Sequence, residues 1–133
     1  MDNNLQLRPP CAGLWNTPMV MVTGEVTTCC LDEHLANKIG SLRDQSLDSL
    51  WNGALMKSWR LAQVVHDFNG SGPLCGSCNW RSAGSASPLL VWAWLSKLER
   101  EDTSSPRTEN KVLYSARTLF FGLRRWWNIQ CAR

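Results

Sequence analysis

Six cysteines in 133 residues constrain this chain more than any other feature of its sequence. They are Cys11, the adjacent pair Cys29 and Cys30, the pair Cys75 and Cys78, and Cys131. A pair two residues apart on a glycine-containing loop, as in Cys75-Gly-Ser-Cys78, lets two thiolates converge on one metal. A chain of this length is enough for one compact domain with a limited interior, so the cysteine spacing has to be explained within one small fold.

The N-terminus predicts the cellular setting of these thiols. The segment MDNNLQLRPPC has acidic and amide residues where a signal peptide carries a basic and then an apolar segment. No apolar run approaches the roughly 18 residues of a membrane span. We therefore expect a cytoplasmic protein, in which structural disulfides are disfavoured and clustered cysteines hold a metal or act in redox chemistry. The alternative is that the cysteines are small buried apolar residues.

The segment between the first cysteines predicts a β-hairpin. In PMVMVTGEVTTCC, two runs rich in valine, methionine and threonine flank Gly24, which can adopt the positive φ of a tight turn. We place strands at about 19–22 and 26–29. Because a hairpin brings its outer ends together, Cys11 is expected to lie near Cys29 and Cys30.

The following segment, 39–68, reads as helical. Ser46 is a plausible N-cap, and Asn52-Gly53 interrupts the pattern, so we expect two consecutive helices. The second is predicted over about 54–68, with apolar residues on related faces: Leu55, Trp59, Ala62 and Val65. The glycines and proline of NGSGPLCGSC then break the helix and place Cys75 and Cys78 on a tight loop.

The fold class predicted from these patterns is α+β: a small β-hairpin followed by helices around a cysteine-ligated site, with a helical C-terminal tail. We divide the chain into a lead-in at 1–10, a domain at 11–81 and an extension at 82–133 that begins with the small residues SAGSAS. The extension predicts helices at 88–101, started by Pro88, and at 111–130.

Charge is unevenly placed along the chain. Residues 1–86 carry six Lys and Arg against seven Asp and Glu, whereas 87–133 carry eight against four. The basic, tryptophan-rich segment Arg124–Trp127 resembles a helix that docks on a partner or a membrane surface, with nucleic acid the less favoured ligand. The alternative is a helix folded back over the small domain with a solvated basic face.

Two metal centres accept four cysteines. Zinc and an iron-sulfur cluster are both compatible with Cys11, one of the adjacent pair, Cys75 and Cys78. A zinc ribbon normally has two closely spaced pairs, whereas here a whole hairpin separates the first two candidates. That spacing weakens the zinc interpretation without excluding it.

A series of motifs over about 9–80 resembles that of a known family. In order, they are Cys11 followed by Leu14-Trp15, a hairpin centred on Gly24, GEVTTCCLD, the IGSL turn, SLDSLWNG, a helix with Arg60, and PLCGSC. This series resembles the SPASM/twitch region of radical SAM enzymes. The resemblance implies one auxiliary 4Fe-4S cluster held by the cysteines that match Cys11, Cys29, Cys75 and Cys78. The family's Gly-x4-Cys spacing, counted from Gly24, selects Cys29 and leaves Cys30 either as a packing residue or as a residue that contacts the cluster's ligands.

The chain departs from the radical SAM pattern in one respect. It has no CxxxCxxC motif and begins ten residues before the first cluster cysteine. We therefore expect this chain not to bind S-adenosylmethionine and not to perform radical chemistry alone. The resemblance implies electron relay or substrate positioning for a radical SAM partner or a missing N-terminal part, with a peptide or carbohydrate-type substrate. Alternatives are a zinc-stabilised protein-interaction module and a degenerate remnant that binds no metal.

Other polar and aromatic residues have two interpretations each. Asp32 is either a residue that fixes the loop after the cysteine pair or a turn former. His34 and His66 lack a surrounding motif that would make them ligands. Four tryptophans either shield a cluster from water or pack in the core: Trp15, Trp51, Trp59 and Trp80.

Overall fold

The computed structural model describes residues 8–79 and 84–102 of the chain. Its elements, in order, are α1 (Gly13–Asn16), β1 (Met19–Val20), β2 (Glu25–Thr27), β3 (Lys38–Ser41), α2 (Leu47–Trp51), α3 (Ala54–Val64) and α4 (Pro88–Asp102). A small antiparallel sheet followed by helices confirms the predicted α+β class. The helix predicted at 111–130 lies outside the described residues.

The predicted hairpin is present, with shorter strands than the sequence indicated. β1 pairs antiparallel with β2, so that Met19 faces Thr27 and Val20 faces Val26. Gly24 has a φ of 94°, and its N–H donates to the carbonyl of Met21 at 2.9 Å to close the turn. Because β2 ends at Thr27, the cysteine pair follows the strand instead of lying in it.

A third strand replaces the start of the predicted helical segment. β3 pairs antiparallel with β2, which has a bulge between Val26 and Thr27, and completes the sheet order β1-β2-β3. The prediction of helix over 39–41 is therefore wrong. Gly40 has a φ of 151°, which an α-helix does not allow, and its backbone lies so close to Leu50 that a Cβ would clash with that side chain. Pairing with β2, a contact distant in sequence, decides the conformation here.

The two predicted helices after β3 are present. Ser46 caps α2: its backbone is extended, and its hydroxyl accepts a hydrogen bond from the N–H of Ser49 at 3.2 Å. α3 ends at Val64, four residues before the predicted end, because His66 takes a φ of 64°. The N–H of Asp67 then donates to the carbonyl of Ala62 at 2.8 Å, which is the hydrogen bond of a Schellman C-cap.

The predicted apolar face of α3 is wrong, because only Trp59 of the four predicted residues is buried. The buried face consists of Met56, Trp59, Arg60, Gln63 and Val64. Leu55 is 44% exposed. The helix is rotated so that Arg60 and Gln63 reach backbone groups of the N-terminal segment, and their hydrogen bonds offset the cost of burying polar groups.

The chain divides into two compact units, Met1–Ala86 and Ser87–Arg133. In the first, apolar side chains from α1, the sheet, α2 and α3 form the core: Leu14, Trp15, Val26, Leu50, Met56, Trp59 and Val64. In the second, α4 begins at Pro88 as predicted and buries Val91 and Leu95, which lie one turn apart. None of the helices within 8–79 and 84–102 has the length and apolar character needed to cross a membrane.

Candidate metal centre

Five cysteines line one cavity of about 160 Å³ in the first unit. Cys11 precedes α1, Cys29 and Cys30 follow β2, and Cys75 and Cys78 lie on the loop after α3. All five carry free thiols. The four cysteines predicted as ligands therefore meet at one place, and Cys30 borders the same cavity; Cys131 lies outside the described residues.

The Cys11 segment is held by backbone pairing that the sequence did not indicate. The N–H of Ala12 donates to the carbonyl of Gly84 at 3.2 Å, and the N–H of Ala86 donates to the carbonyl of Pro10 at 2.8 Å. Together they flank an antiparallel bridge between Cys11 and Ser85. Residues 84–86 thus fix the chain on both sides of the first cysteine.

A close backbone approach joins this segment to the hairpin. At Gly13 a Cβ would lie 2.7 Å from the carbonyl oxygen of Thr28, a distance that no side-chain-bearing residue tolerates without a shift. Gly13 therefore permits the start of α1 to lie against the residue before Cys29. This contact brings Cys11 and Cys29 to the same cavity, as the hairpin geometry predicted.

The adjacent cysteines differ in exposure. Cys29 is half-buried, and its sulfur accepts a hydrogen bond from the N–H of Leu31 at 3.4 Å. Cys30 is exposed. Strand alternation does not explain the difference, because β2 ends at Thr27 and both cysteines lie in the turn that follows.

Asp32 fixes the loop that leads from this turn to β3. Asp32 is 4% exposed, and its carboxylate accepts hydrogen bonds from the N–H groups of Ala36 and Asn37, at 2.7 and 2.8 Å. The hydroxyl of Thr27 donates to the same carboxylate. Of the two interpretations of Asp32, the structure supports the loop-fixing one. The loop delivers Asn37 to the buried side of the cavity.

The loop that carries Cys75 and Cys78 is tied to Asn37. The side-chain carbonyl of Asn37 accepts the N–H of Leu74 at 3.0 Å, and the N–H of Cys75 donates to the carbonyl of Gly72 at 3.0 Å. Gly72 has a φ of 121°, and a Cβ there would lie 3.0 Å from Asn37. Glycine is therefore required both for the conformation and for the space.

Two buried amides reach the sulfur of Cys75, and sequence reasoning missed both. Asn37 donates through Nδ2 at 3.6 Å and Gln63 through Nε2 at 3.9 Å, while both side chains are 0% exposed. Gln63 also accepts the N–H of Cys11 at 2.9 Å through Oε1. Asn37 has no signal in the sequence. For Gln63 the sequence held a weak signal: it follows Trp59 by one helical turn on α3, which places the two on the same face.

Arg8 is a second functional candidate that the sequence did not single out. Its Nη1 donates to the carbonyl of Cys75 at 2.9 Å, and its guanidinium lies 4.1 Å from the ring centre of Phe68. It also lines the cavity. Arg8 thus places a positive charge beside the thiols.

The two histidines do not line the cavity. Nδ1 of His66 lies 3.1 Å from the carbonyl oxygen of Arg8, and this contact holds the chain ahead of Cys11. His34 is exposed and pairs with Glu33 at 3.3 Å. His66 therefore has a structural contact, and His34 lies on the surface.

Burial governs the ionisation of two of the thiols. It raises the pKa of Cys11 above its ordinary value, an effect opposed by the N–H of Gly13 and increased by the neighbouring Cys75 thiol. Burial likewise raises the pKa of Cys29, opposed by the N–H of Leu31 and increased by Cys30, Cys11 and Cys78. Since metals bind thiolates, binding at this site has to release protons.

The tryptophans within the described ranges do not shield the cavity, so for them that interpretation is wrong. None is among the residues that line it, whereas Trp80 lies outside the described residues. Trp15 and Trp51 instead flank the buried Arg60, whose guanidinium lies 5.7 and 5.0 Å from their ring centres. Burial lowers the pKa of Arg60 to about 10, so its side chain remains charged at neutral pH. It donates to the carbonyls of Leu14 and Trp51.

Comparison with known families agrees with this geometry. The family profile of SPASM, an iron-sulfur cluster-binding domain, matches residues 11–79, slightly more than half of the chain. The chain belongs to the SPASM family. SPASM domains bind iron-sulfur clusters in proteins associated with radical SAM chemistry, as the sequence motifs predicted. Searches of curated proteins and of solved structures gave no match.

The donor set of this SPASM domain fits an iron-sulfur cluster. Thiols from three chain segments surround a cavity of about 160 Å³, close to the roughly 150 Å³ cavity that holds benzene in another protein and far larger than one ion needs. Within residues 8–79 and 84–102, no group of three or more His, Cys, Asp or Glu side chains is placed closely enough to hold a metal ion. The sulfurs of Cys29 and Cys75 also have N–H donors close by.

Proposed function

We propose that this SPASM domain binds one 4Fe-4S cluster through Cys11, Cys29, Cys75 and Cys78. The observation that carries the proposal is that these four thiols, which come from three separate segments, line one cavity. Cys29 is preferred to Cys30 because it is half-buried, and because its sulfur accepts the N–H of Leu31 at 3.4 Å. Cys30 is exposed, although it lines the same cavity.

The proposed role is electron relay for a radical SAM enzyme. A bound 4Fe-4S cluster supplies one-electron transfer, and ligation by four cysteines leaves no iron free for a substrate. Leu14 and Leu74 contribute apolar surface to the cavity and limit the access of water. Cys30 and Leu31 also line the cavity and are exposed, and a redox partner would approach there. A peptide or carbohydrate-type substrate would belong to that partner.

Anaerobic reconstitution with iron and sulfide tests the cluster. We expect a brown protein with about four irons and four sulfides per chain, measured by elemental analysis and by absorption and EPR spectra. One zinc per chain without sulfide would favour the zinc-stabilised interaction module. A folded, colourless chain that takes up neither metal would indicate the degenerate remnant, and either result contradicts the proposal.

Serine variants of single cysteines test the ligand set. Substitution of Cys11, Cys29, Cys75 or Cys78 is expected to lower iron content strongly, because serine is a poor ligand for iron-sulfur clusters in place of a thiolate. Cys30→Ser is the matched control, since it changes the neighbouring cysteine of the same turn. Loss of iron in Cys30→Ser with full iron in Cys29→Ser would reverse the assignment.

A further inference from the structure

Two fully buried amides converge on one cysteine sulfur in this domain. Nδ2 of Asn37 lies 3.6 Å and Nε2 of Gln63 lies 3.9 Å from Sγ of Cys75. Both side chains are 0% exposed, and Cys75 is itself buried. Asn37 precedes β3 and Gln63 lies in α3, so the two donors approach from separate parts of the fold.

The orientation of each amide is determined by its oxygen. Oδ1 of Asn37 accepts the N–H of Leu74 at 3.0 Å, and Oε1 of Gln63 accepts the N–H of Cys11 at 2.9 Å. A flipped amide would place NH₂ against N–H in both cases, which no hydrogen bond can satisfy. The NH₂ groups must therefore face the sulfur.

Each NH₂ group has two hydrogens and two acceptors: the Cys75 sulfur and one hydroxyl oxygen. Both hydrogens are therefore used. Asn37 also donates to the hydroxyl of Thr28 at 3.4 Å, and Gln63 to the hydroxyl of Ser71 at 3.5 Å. Both amides are thus held at both ends, and neither can turn away from Cys75 without losing several hydrogen bonds. The fold itself therefore holds both donors at the Cys75 sulfur.

We propose that Asn37 and Gln63 are positioning residues that raise the reduction potential of the bound cluster by donating to the Cys75 sulfur. The inference rests on the proposed function, since it requires Cys75 to be a cluster ligand. Reduction adds one electron and neither forms nor breaks a bond. Part of the added negative charge lies on the cysteine sulfurs, where N–H donors stabilise it. The reduced state is therefore favoured.

Variants that remove one donor test the proposal. Gln63→Glu keeps the oxygen that accepts the Cys11 N–H and replaces the donor with an acceptor. Gln63→Met removes the donor without adding charge, and it also removes the acceptor of the Cys11 N–H. Asn37→Asp makes the same exchange at the other amide. We expect each variant to have a more negative midpoint potential than the parent, measured by redox titration of the reconstituted full chain, and the double variant to be more negative still.

Asn69→Asp is the matched control for charge. Asn69 is exposed and lies against Gly76, on the same loop as Cys75, so the substitution adds a similar charge close to the site. We expect its potential to stay at the parent value. Equal potentials in the parent, Gln63→Met and Asn37→Asp, with iron content retained, would overturn the inference, as would an equal shift in Asn69→Asp and Gln63→Glu.

A measurement on the parent protein tests the inference even if the variants do not fold. With ¹⁵N in the side-chain amides of Asn and Gln alone, pulsed EPR of the reduced cluster should detect ¹⁵N coupling. No coupling in a parent that holds its iron would contradict the inference and leave the four-cysteine cluster standing. A parent that takes up no iron would contradict the proposed function, and this inference with it.

Discussion

A buried carboxylate stabilises a loop when hydrogen-bond donors reach both of its oxygens, as they do at Asp32. It is 4% exposed, and three donors from 27–37 converge on it. Buried polar side chains have the same role throughout the site. Asn37, Gln63 and Arg60 each join segments that are distant in the sequence, and their bonds replace those that water would otherwise make.

Asp32→Ala is expected to lower the free energy of unfolding by about 3 kcal/mol, because it leaves the Thr27 hydroxyl and the N–H of Asn37 without their acceptor. Chemical unfolding followed by tryptophan fluorescence measures the loss. Glu33→Ala is the control: its side chain is 82% exposed, so the expected change is within about 0.5 kcal/mol. A similar loss in both variants would show that Asp32 does not hold the loop.

Among the elements, β3 connects the sheet to the site. It follows Asn37 directly and pairs with β2, so its register sets where Asn37 meets the Cys75 loop. Gly40 allows this arrangement, since its φ of 151° and its contact with Leu50 exclude a side chain. β3, with its Gly40, therefore packs directly on Leu50 of α2.

Gly40→Ala is expected to cost about 3 kcal/mol of unfolding free energy, from the positive φ and from overpacking against buried Leu50. Gly24→Ala measures the cost of the positive φ alone. That glycine also has a positive φ, of 94°, but a Cβ there would have ordinary contacts with Arg43 at 3.6 Å. We expect about 1–2 kcal/mol for Gly24→Ala. Equal losses in the two variants would argue against close packing of Gly40 on Leu50.

At the scale of the whole molecule, the site is assembled from segments that span most of the first unit. Arg8, Cys29 and Cys75 contribute to one cavity, and 84–86 pair with the chain around Cys11. The family match ends at residue 79. Residues 84–86, which pair with the chain around Cys11, therefore support the site from outside the matched segment. The start of the extension at residue 82 stays a prediction, because 80–83 lie outside the described residues.

Two truncations test this support. A chain that ends after Ser87 keeps the five site cysteines and 84–86, and we expect it to bind as much iron as the full chain. A chain that ends after Asn79 keeps the same cysteines but leaves the N–H of Ala12 and the carbonyl of Pro10 without their partners. We expect it to retain less iron after reconstitution, measured per folded chain. Equal iron content in the two truncated proteins would show that 84–86 are dispensable.

The sequence by itself determined the features that depend on neighbours along the chain. Gly24 turns the hairpin, Ser46 caps α2, and Asn52-Gly53 separates two helices, because turn conformation and capping need only a few consecutive residues. The order and spacing of the cysteines likewise predicted the SPASM family.

Only the tertiary structure decided which residues surround the cysteines. β3 is a strand because it pairs with β2. Gln63 lies on the buried face of α3, where it hydrogen-bonds to the N–H of Cys11 and to the sulfur of Cys75. Asn37 meets Cys75 across 38 positions of sequence. Such contacts produce no periodic pattern in the sequence. The partners of a buried polar side chain come from distant segments and become its neighbours only when the chain folds.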